Sequence, residues 1–389
     1  MGYIFMLQSN GLQLPDRTAN RHRHIFNQTL AQLSDWLETQ NQRNYKAKQI
    51  LHWVHHEGLL NPDHMTNLSK PLRTALKQSF DWNLPEFTQT TISQDGCVKW
   101  LLRLPDKNQV ETVFIPETSR GTLCISSQSG CALACSFCAT GAQGFSGNLT
   151  MGEVISQVWM ARHCLKEIYP DQPPKITNIV LMGMGEPLLN ASATTEAMEI
   201  MMHDLAYGLS KYRVTLSTSG IVPAMYELSK NSDCALAVSL HAPNDPLRDE
   251  LVPINKKYPL AELIGCCQQY YNKSPKRKVT FEYAMLMGVN DQVHHAKQLI
   301  QRLAKCPCKI NLIPFNPFPG TIYECTPMQQ IHAFQRVLQN AGFQTTIRKT
   351  RGQDIAAACG QLAGQVLDMT KRTPAGQMRR KLKQPKRCN

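Results

Sequence analysis

The sequence predicts an α/β protein: a partial (β/α)6, TIM-like barrel preceded by a small N-terminal helical domain. Three observations carry that prediction. Six apolar, β-rich runs (TLCISS, ITNIVLMGM, YRVTLSTS, CALAVSL, KVTFEYAML and KINLIPF) alternate with helix-like stretches such as TMGEVISQVWMARHCL and TTEAMEIMMHDLA. That is the pattern of parallel βαβ units. The alternation stops at six, short of the eight units of a closed barrel. Ahead of it, from Asn27 to about Phe80, apolar residues recur at helical spacing. A doubly wound sheet is the alternative architecture for the same alternation.

The chain of 389 residues, 42% of them hydrophobic, is long enough for two or three domains and a full core. The expected division is a frayed N-terminus over 1–26, a helical accessory domain over 27–90, a β-rich connector over 91–120, the barrel core over 121–366 and a basic tail over 367–389. The opening MGYIFMLQSNGLQLPDR has no basic n-region and only a stub of apolar sequence, so no signal peptide is read. No run reaches the ~18 apolar residues of a membrane span. The expectation is a cytoplasmic, membrane-free protein whose 14 cysteines stay reduced.

In the helical domain, Ala47, Ile50, Leu51 and Val54 fall on one helix face, and Leu72, Ala75 and Leu76 repeat the spacing after NLSKP. Lys46, Lys48, Arg73 and Lys77 are available on its surface. His52, His55, His56 and His64 crowd the same region, as exposed histidines of a basic helix or as a metal site. After DWNLPEF, the runs CVKWLLRL and VETVFIP read as strands with turn residues between them.

The formal charge of +13 points to a polyanionic partner. Its distribution is uneven: the final stretch KRTPAGQMRRKLKQPKRCN carries eight Lys or Arg and no acid. Such a tail is either a solvated segment that aids solubility or an RNA-contacting arm acting through counterion release.

The stretch GCALACSFCATG holds Cys131, Cys135 and Cys138 directly after a strand. A structural zinc site takes four ligands, with Cys124 or a distant cysteine as the fourth; thiolates grouped this tightly also suit iron–sulfur clusters. Three thiolates can hold three irons of a [4Fe–4S] cube and leave the fourth iron open to a chelating ligand such as S-adenosylmethionine. LMGMGEP is no dinucleotide fingerprint, because Leu188 stands where the third glycine belongs and Pro187 interrupts the helix start. Its glycines allow close backbone approach, and Glu186 can accept from an ammonium group. Ser217, Ser239, Leu240, His241 and Asn316 fall at later strand ends, where barrel chemistry sits. Cys359, within AAACGQL, reads by itself as a small buried hydrophobe. Glu111, within VETVFIP, reads as a surface strand carboxylate as readily as a base.

C-x3-C-x2-C with Phe137 before its last cysteine matches the signature of the radical S-adenosylmethionine enzymes. Together, GTLCISSQSGCALACSFCATG, LMGMGEPLLN, VTLSTSG, VSLHAPND, IPFNPFPG and RGQDIAAACGQLAG resemble the adenine-C2 RNA methyltransferases of the RlmN family, over about Tyr45 to Val366. The resemblance implies a barrel of the radical S-adenosylmethionine type. It implies methylation of an adenosine in 23S ribosomal RNA, at the peptidyl transferase centre, and of the tRNA adenosine beside the anticodon. It implies a [4Fe–4S] cluster on Cys131, Cys135 and Cys138. Two S-adenosylmethionine molecules would be used per turnover, held by Gly185, Glu186, Ser217, Ser239, Leu240, His241 and Asn316.

In that reading Cys359 is methylated first, and a 5′-deoxyadenosyl radical takes hydrogen from its S-methyl group. The methylene radical adds to carbon 2, Glu111 removes the carbon-2 proton, and Cys124 releases the product by forming a disulfide with Cys359. A monomer fed by flavodoxin or ferredoxin is implied. The related carbon-8 methyltransferases (Cfr-like) share nearly all these motifs, and a non-catalytic RNA-binding protein with a structural metal is the reading from another class.

Overall fold

The computed structural model describes residues 23–232, 234–271 and 277–364; the expected basic tail and residues 1–22 lie outside them. The N-terminal domain consists of α1 (Leu30–Thr39), α2 (Tyr45–Leu51) and α3 (Lys70–Ser79). Thr29 opens α1 with a capping box: its hydroxyl accepts from the Gln32 N–H, and the Gln32 side chain accepts from the Thr29 N–H. The predicted stripe Ala47, Ile50, Leu51 and Val54 is fully buried. Beyond α2 the helix widens into one π turn over His52–His56.

The connector is an antiparallel meander of β1 (Glu86–Ile92), β2 (Val98–Arg103) and β3 (Gln109–Pro116), which continues antiparallel into β4 (Gly121–Cys124). A small hairpin of β5 (Gln128–Gly130) and β6 (Phe145–Asn148) follows, enclosing the cysteine loop and the short helix α4 (Ala139–Gln143). Next come α5 (Met151–Ile168), β7 (Asn178–Leu181), α6 (Ala191–Met202), β8 (Val214–Thr218), α7 (Val222–Asn231) and β9 (Ala235–Ser239). The chain continues through α8 (Asp245–Leu251), α9 (Leu260–Tyr270), β10 (Val279–Met285), α10 (Val293–Leu303), β11 (Cys308–Pro314), α11 (Met328–Asn340) and β12 (Gln344–Ile347).

Among the described residues, all strands except the hairpin join one sheet, in the order β1-β2-β3-β4-β7-β8-β9-β10-β11-β12. From β4 onward the pairs are parallel and follow chain order without reversal. A doubly wound sheet would reverse, so the partial barrel holds. The six predicted runs supply β4 and β7–β11. A seventh parallel strand, β12, was not predicted, because Gln-Thr-Thr-Ile is short and half polar. Among the described residues no helix is long and apolar enough to cross a membrane.

The helical domain docks on α5. The Trp159 indole N–H donates to the Val54 carbonyl (3.1 Å), and the Gly152 N–H to Asn27 Oδ1 (2.5 Å). A strap, residues 348–364, returns from β12 to the meander at the far end of the sheet. Arg351 Nε donates to Asp95 Oδ2 (2.8 Å), Ser93 Oγ to Asp354 Oδ1 (2.5 Å), and Lys99 Nζ to the Ala356 carbonyl (3.3 Å). The strap thus bridges the side of the barrel that the strand ladder leaves open.

Candidate active site

The C-terminal ends of the parallel strands surround a cavity of about 1000 Å³, counting its open mouth. Barrel chemistry occupies this end. Cys131, Cys135 and Cys138 line it. Their loop is held by backbone bonds: the Cys131 N–H donates to Gly144 (2.7 Å), the Ser136 N–H to Leu251 (3.2 Å) and the Cys138 N–H to Cys135 (3.2 Å). Gly141 packs α4 onto this loop, since a Cβ there would stand 2.9 Å from the Cys135 carbonyl oxygen.

Burial pushes the Cys135 thiol well above its ordinary range, and the charges of Cys131 and Cys138 push it further. Three thiolates can share this space only with cationic charge among them. Among the described residues, the group of three metal-binding side chains whose donor atoms lie within 4.8 Å of one another is His52, His56 and Glu57. At least one pair of the three cysteine sulfurs is therefore farther apart than the ~3.8 Å separation around a single tetrahedral zinc, calculated from Zn–S bonds of about 2.3 Å. The donor set fits a cluster.

Glu186 is buried, with both carboxylate oxygens fixed: Oε1 accepts from the Leu188 N–H (3.1 Å) and Oε2 from the Ser219 N–H (2.7 Å). Burial raises its pKa while these N–H groups hold it down. No lysine or arginine pairs with it among the described residues. A buried carboxylate with only N–H partners is suited to a cationic ligand. Gly185 has φ +99°, and a Cβ on it would lie 2.5 Å from the Gln128 side chain. Its glycine is required by the protein's own packing, in addition to any approach to a ligand.

Ser217, Ser239, His241 and Asn316 line the same cavity. His241 Nδ1 accepts from the Ala284 N–H (2.9 Å), and its ring lies 4.4 Å from that of Phe137. Burial, and after it the Arg248 charge, lower its pKa to about 3, so the imidazole is neutral with the Nε2 hydrogen left to donate. Leu240 is placed differently from the expectation. Its side chain is buried in the main core, and its backbone serves the site by donating to the Glu282 carbonyl (3.0 Å) and accepting from Arg248 Nε (3.1 Å).

Cys359 lies on the strap, lines the cavity, and its carbonyl accepts from Asn316 Nδ2 (3.2 Å). Cys124 ends β4, buried, close enough for the charge of Cys359 to act on it. Burial drives both thiols up, Cys124 to about 12, while the Arg348 cation pulls both down. Glu111 lines no part of the cavity. Its carboxylate accepts from the Ala363 N–H of the strap (2.8 Å) and pairs with Lys99 (3.0 Å).

Three cations escaped the sequence reading: Lys99, which ties the strap on both sides of Cys359 through Ala356 and Glu111; Arg348; and Arg248. A lone basic residue has no periodicity to betray it. The fully buried Arg248 donates to the carbonyls of Leu240, Ser219 (2.8 Å) and Ser239 (2.9 Å) and to Asn255 Oδ1 (2.9 Å). It fixes the ends of β8 and β9 under the cavity floor. Arg248→Met strands those acceptors and should cost on the order of 3 kcal/mol. Arg248→Lys should recover only part of this, since an ammonium lacks the fork. Urea denaturation of the three proteins checks the order.

The histidine group divides. His55 is buried against Tyr207, its pKa lowered to about 3 by burial. His52 and His56 stack at 4.4 Å and each meets Glu57 at 3.1 Å, far from the cysteine loop in sequence.

Residues 24–81 match the family described as ribosomal RNA large subunit methyltransferase N-terminal domain, and residues 125–300 match the radical SAM superfamily. A dual-specificity RNA methyltransferase RlmN from Marinobacter nauticus is 53% identical over 344 residues, covering 88% of this chain and 93% of its own. The crystal structure of a radical SAM methyltransferase from Sphaerobacter thermophilus superposes with a TM-score of 0.81 at 40% identity, covering 87% of this chain and 98% of that one.

Proposed function

We propose, from the premise that this chain belongs to the RlmN family of radical S-adenosylmethionine RNA methyltransferases, that it methylates carbon 2 of an adenosine in 23S ribosomal RNA and of the adenosine beside the anticodon in tRNA. The observation that supports this most is that Cys359 lines a cavity that already holds three grouped thiols, with the buried Cys124 close enough to feel its charge. Cys131, Cys135 and Cys138 would hold the [4Fe–4S] cluster. Glu186, beside Gly185, would take the ammonium group of S-adenosylmethionine, with Ser217, Ser239, His241 and Asn316 around the rest and Leu240 contributing backbone. Two S-adenosylmethionine molecules per product supply, when bound, one methyl group and one hydrogen-abstracting radical.

The chain's own residues do the remainder. Cys359 carries the one-carbon unit to the adenine. Once the adduct radical has passed one electron to the electron-transfer partner and carbon 2 has lost its proton, the Cys124 thiolate attacks the Cys359 sulfur. The S–C bond breaks as the disulfide forms, and the methylene carbon takes a proton as the methylated base leaves. Arg348, which pulls both thiols toward the thiolate, serves this exchange. For Glu111 to take the carbon-2 proton, as the family resemblance implies, its carboxylate would have to leave both the Ala363 N–H and Lys99 and turn into the cavity. A monomer working in the cytoplasm with flavodoxin or ferredoxin as electron donor completes the reading.

Mass spectrometry of nucleosides from a deletion strain, with and without this chain restored, tests the assignment. 2-Methyladenosine should return in both rRNA and tRNA, whereas 8-methyladenosine would mean the carbon-8 chemistry. The basic tail supplies a separate test: ending the chain after Thr370 should weaken RNA binding and lower its salt slope by several units, with cofactor cleavage unchanged. Unchanged affinity and slope would make the tail a solubility device.

A further inference from the structure

The barrel has a second cavity below the first, about 2280 Å³ including its open mouth. A barrel interior of this kind is ordinarily filled by branched apolar side chains. Here Thr122, Asn178, Thr215, Thr280 and Lys309, at the early positions of β4, β7, β8, β10 and β11, face open space. Met182, Ile313, Asn316, Arg348 and Cys359 line both cavities, so they form the wall between them. From Lys309 to Ile313 along β11 is about 13 Å, which sets the depth from the lower rim to that wall.

The rim is basic. Arg120 is paired with Glu117 and Arg351 with Asp95. Lys278, Lys309 and Lys349 are exposed and have no carboxylate partner among the described residues. Beside them Tyr212, 63% exposed, carries the Arg277 guanidinium 4.8 Å from its ring centroid. Arg277 lies 4.3 Å from the ring of Tyr271 on the way inward. Tyr271 is anchored: its hydroxyl donates to the Cys234 carbonyl (2.9 Å) and accepts from the Leu236 N–H (2.8 Å). An exposed aromatic backed by a held guanidinium, among three unpaired ammonium groups, is the combination that binds single-stranded nucleic acid by stacking and phosphate contact.

We propose that this rim is an RNA-strand clamp: Tyr212 with Arg277 stacks a base flanking the target, and Lys278, Lys309 and Lys349 hold the adjoining phosphates. The target adenosine then reaches Cys359 through the lower cavity, on the face of the wall opposite the cofactor. The clamp rests on the RNA methyltransferase reading and adds the residues that grip the strand.

The test uses the full chain with its cluster reconstituted and, as probe, an in vitro transcribed 23S ribosomal RNA fragment spanning the peptidyl transferase centre. Tyr212→Ala should raise KM for this RNA about tenfold, and Tyr212→Phe should restore it, because stacking needs the ring alone. The triple Lys278→Ala, Lys309→Ala, Lys349→Ala protein should lose about two units of salt slope. Cofactor cleavage without RNA should match wild type throughout.

Crosslinking of the unaltered protein to the same RNA, carrying 4-thiouridine beside the target, provides a readout that no folding defect can disturb. The crosslink should map to the peptides holding Tyr212 or Arg277. Wild-type KM and slope in the variants, or crosslinks that avoid both peptides, would overturn the clamp while leaving methylation intact. Absence of methylation by the wild-type protein would instead overturn the functional reading beneath it.

Discussion

The Cys124→Ala protein is expected to accumulate RNA covalently joined to Cys359. Cys124 ends β4, paired to Val113 on one side and Val180 on the other, so its thiol is held in place by the sheet. On the proposed roles, the carbon–carbon bond to adenine should still form without that thiol, with nothing left to attack the Cys359 sulfur. The adduct should appear as a band that survives denaturation and disappears on nuclease treatment. Cys359→Ala, by contrast, should bind RNA, keep its iron and form neither adduct nor product. With trideuteromethyl cofactor, the wild-type product methyl should retain two deuteriums and pass the third to 5′-deoxyadenosine. A product methyl with all three would mean direct transfer, and both cysteine roles would be wrong.

Changing any one of Cys131, Cys135 or Cys138 to alanine should take the reconstituted protein from about four irons per chain to nearly none. Broad absorption near 400 nm and cofactor cleavage should vanish together. The fold should survive, because the loop is also held by backbone bonds to Gly144 and Leu251 and by the Ala139 N–H donating to Gly360 (2.9 Å). Unchanged far-ultraviolet circular dichroism with lost iron is therefore the expected pair of results. Stoichiometric zinc in anaerobically prepared wild-type protein would sink the cluster assignment.

What the sequence disclosed follows the range of its physical signals. Buried parallel strands are continuous apolar runs, so β4 and β7–β11 were legible, and the stripe Ala47, Ile50, Leu51 and Val54 declared a helix by its period. β12 was not legible, because Gln-Thr-Thr-Ile is a strand only through its pairing with β11. Grouped cysteines announce themselves by spacing, whereas Arg248 gains its meaning from carbonyls that two separate strand ends bring to it. Glu111 was visible as a candidate base, but its bond to Ala363, 252 positions away, belongs to the tertiary structure alone. The same holds for Lys99 and for the Tyr212–Arg277 stack.

The strap across the open side of the barrel has a consequence for the enzyme between turnovers. A disulfide from Cys359 on the strap to Cys124 on β4 would enclose about 235 residues, nearly the whole barrel, in one covalent ring. Loop-closure entropy for a ring of that size favours the native state by roughly 5 kcal/mol. Each catalytic cycle would thus end in a toughened, oxidised molecule, and the dithiol that reopens the ring would return the protein to its less stable working form. Scanning calorimetry should then show the oxidised protein melting higher than the reduced one, with the difference abolished in Cys124→Ala.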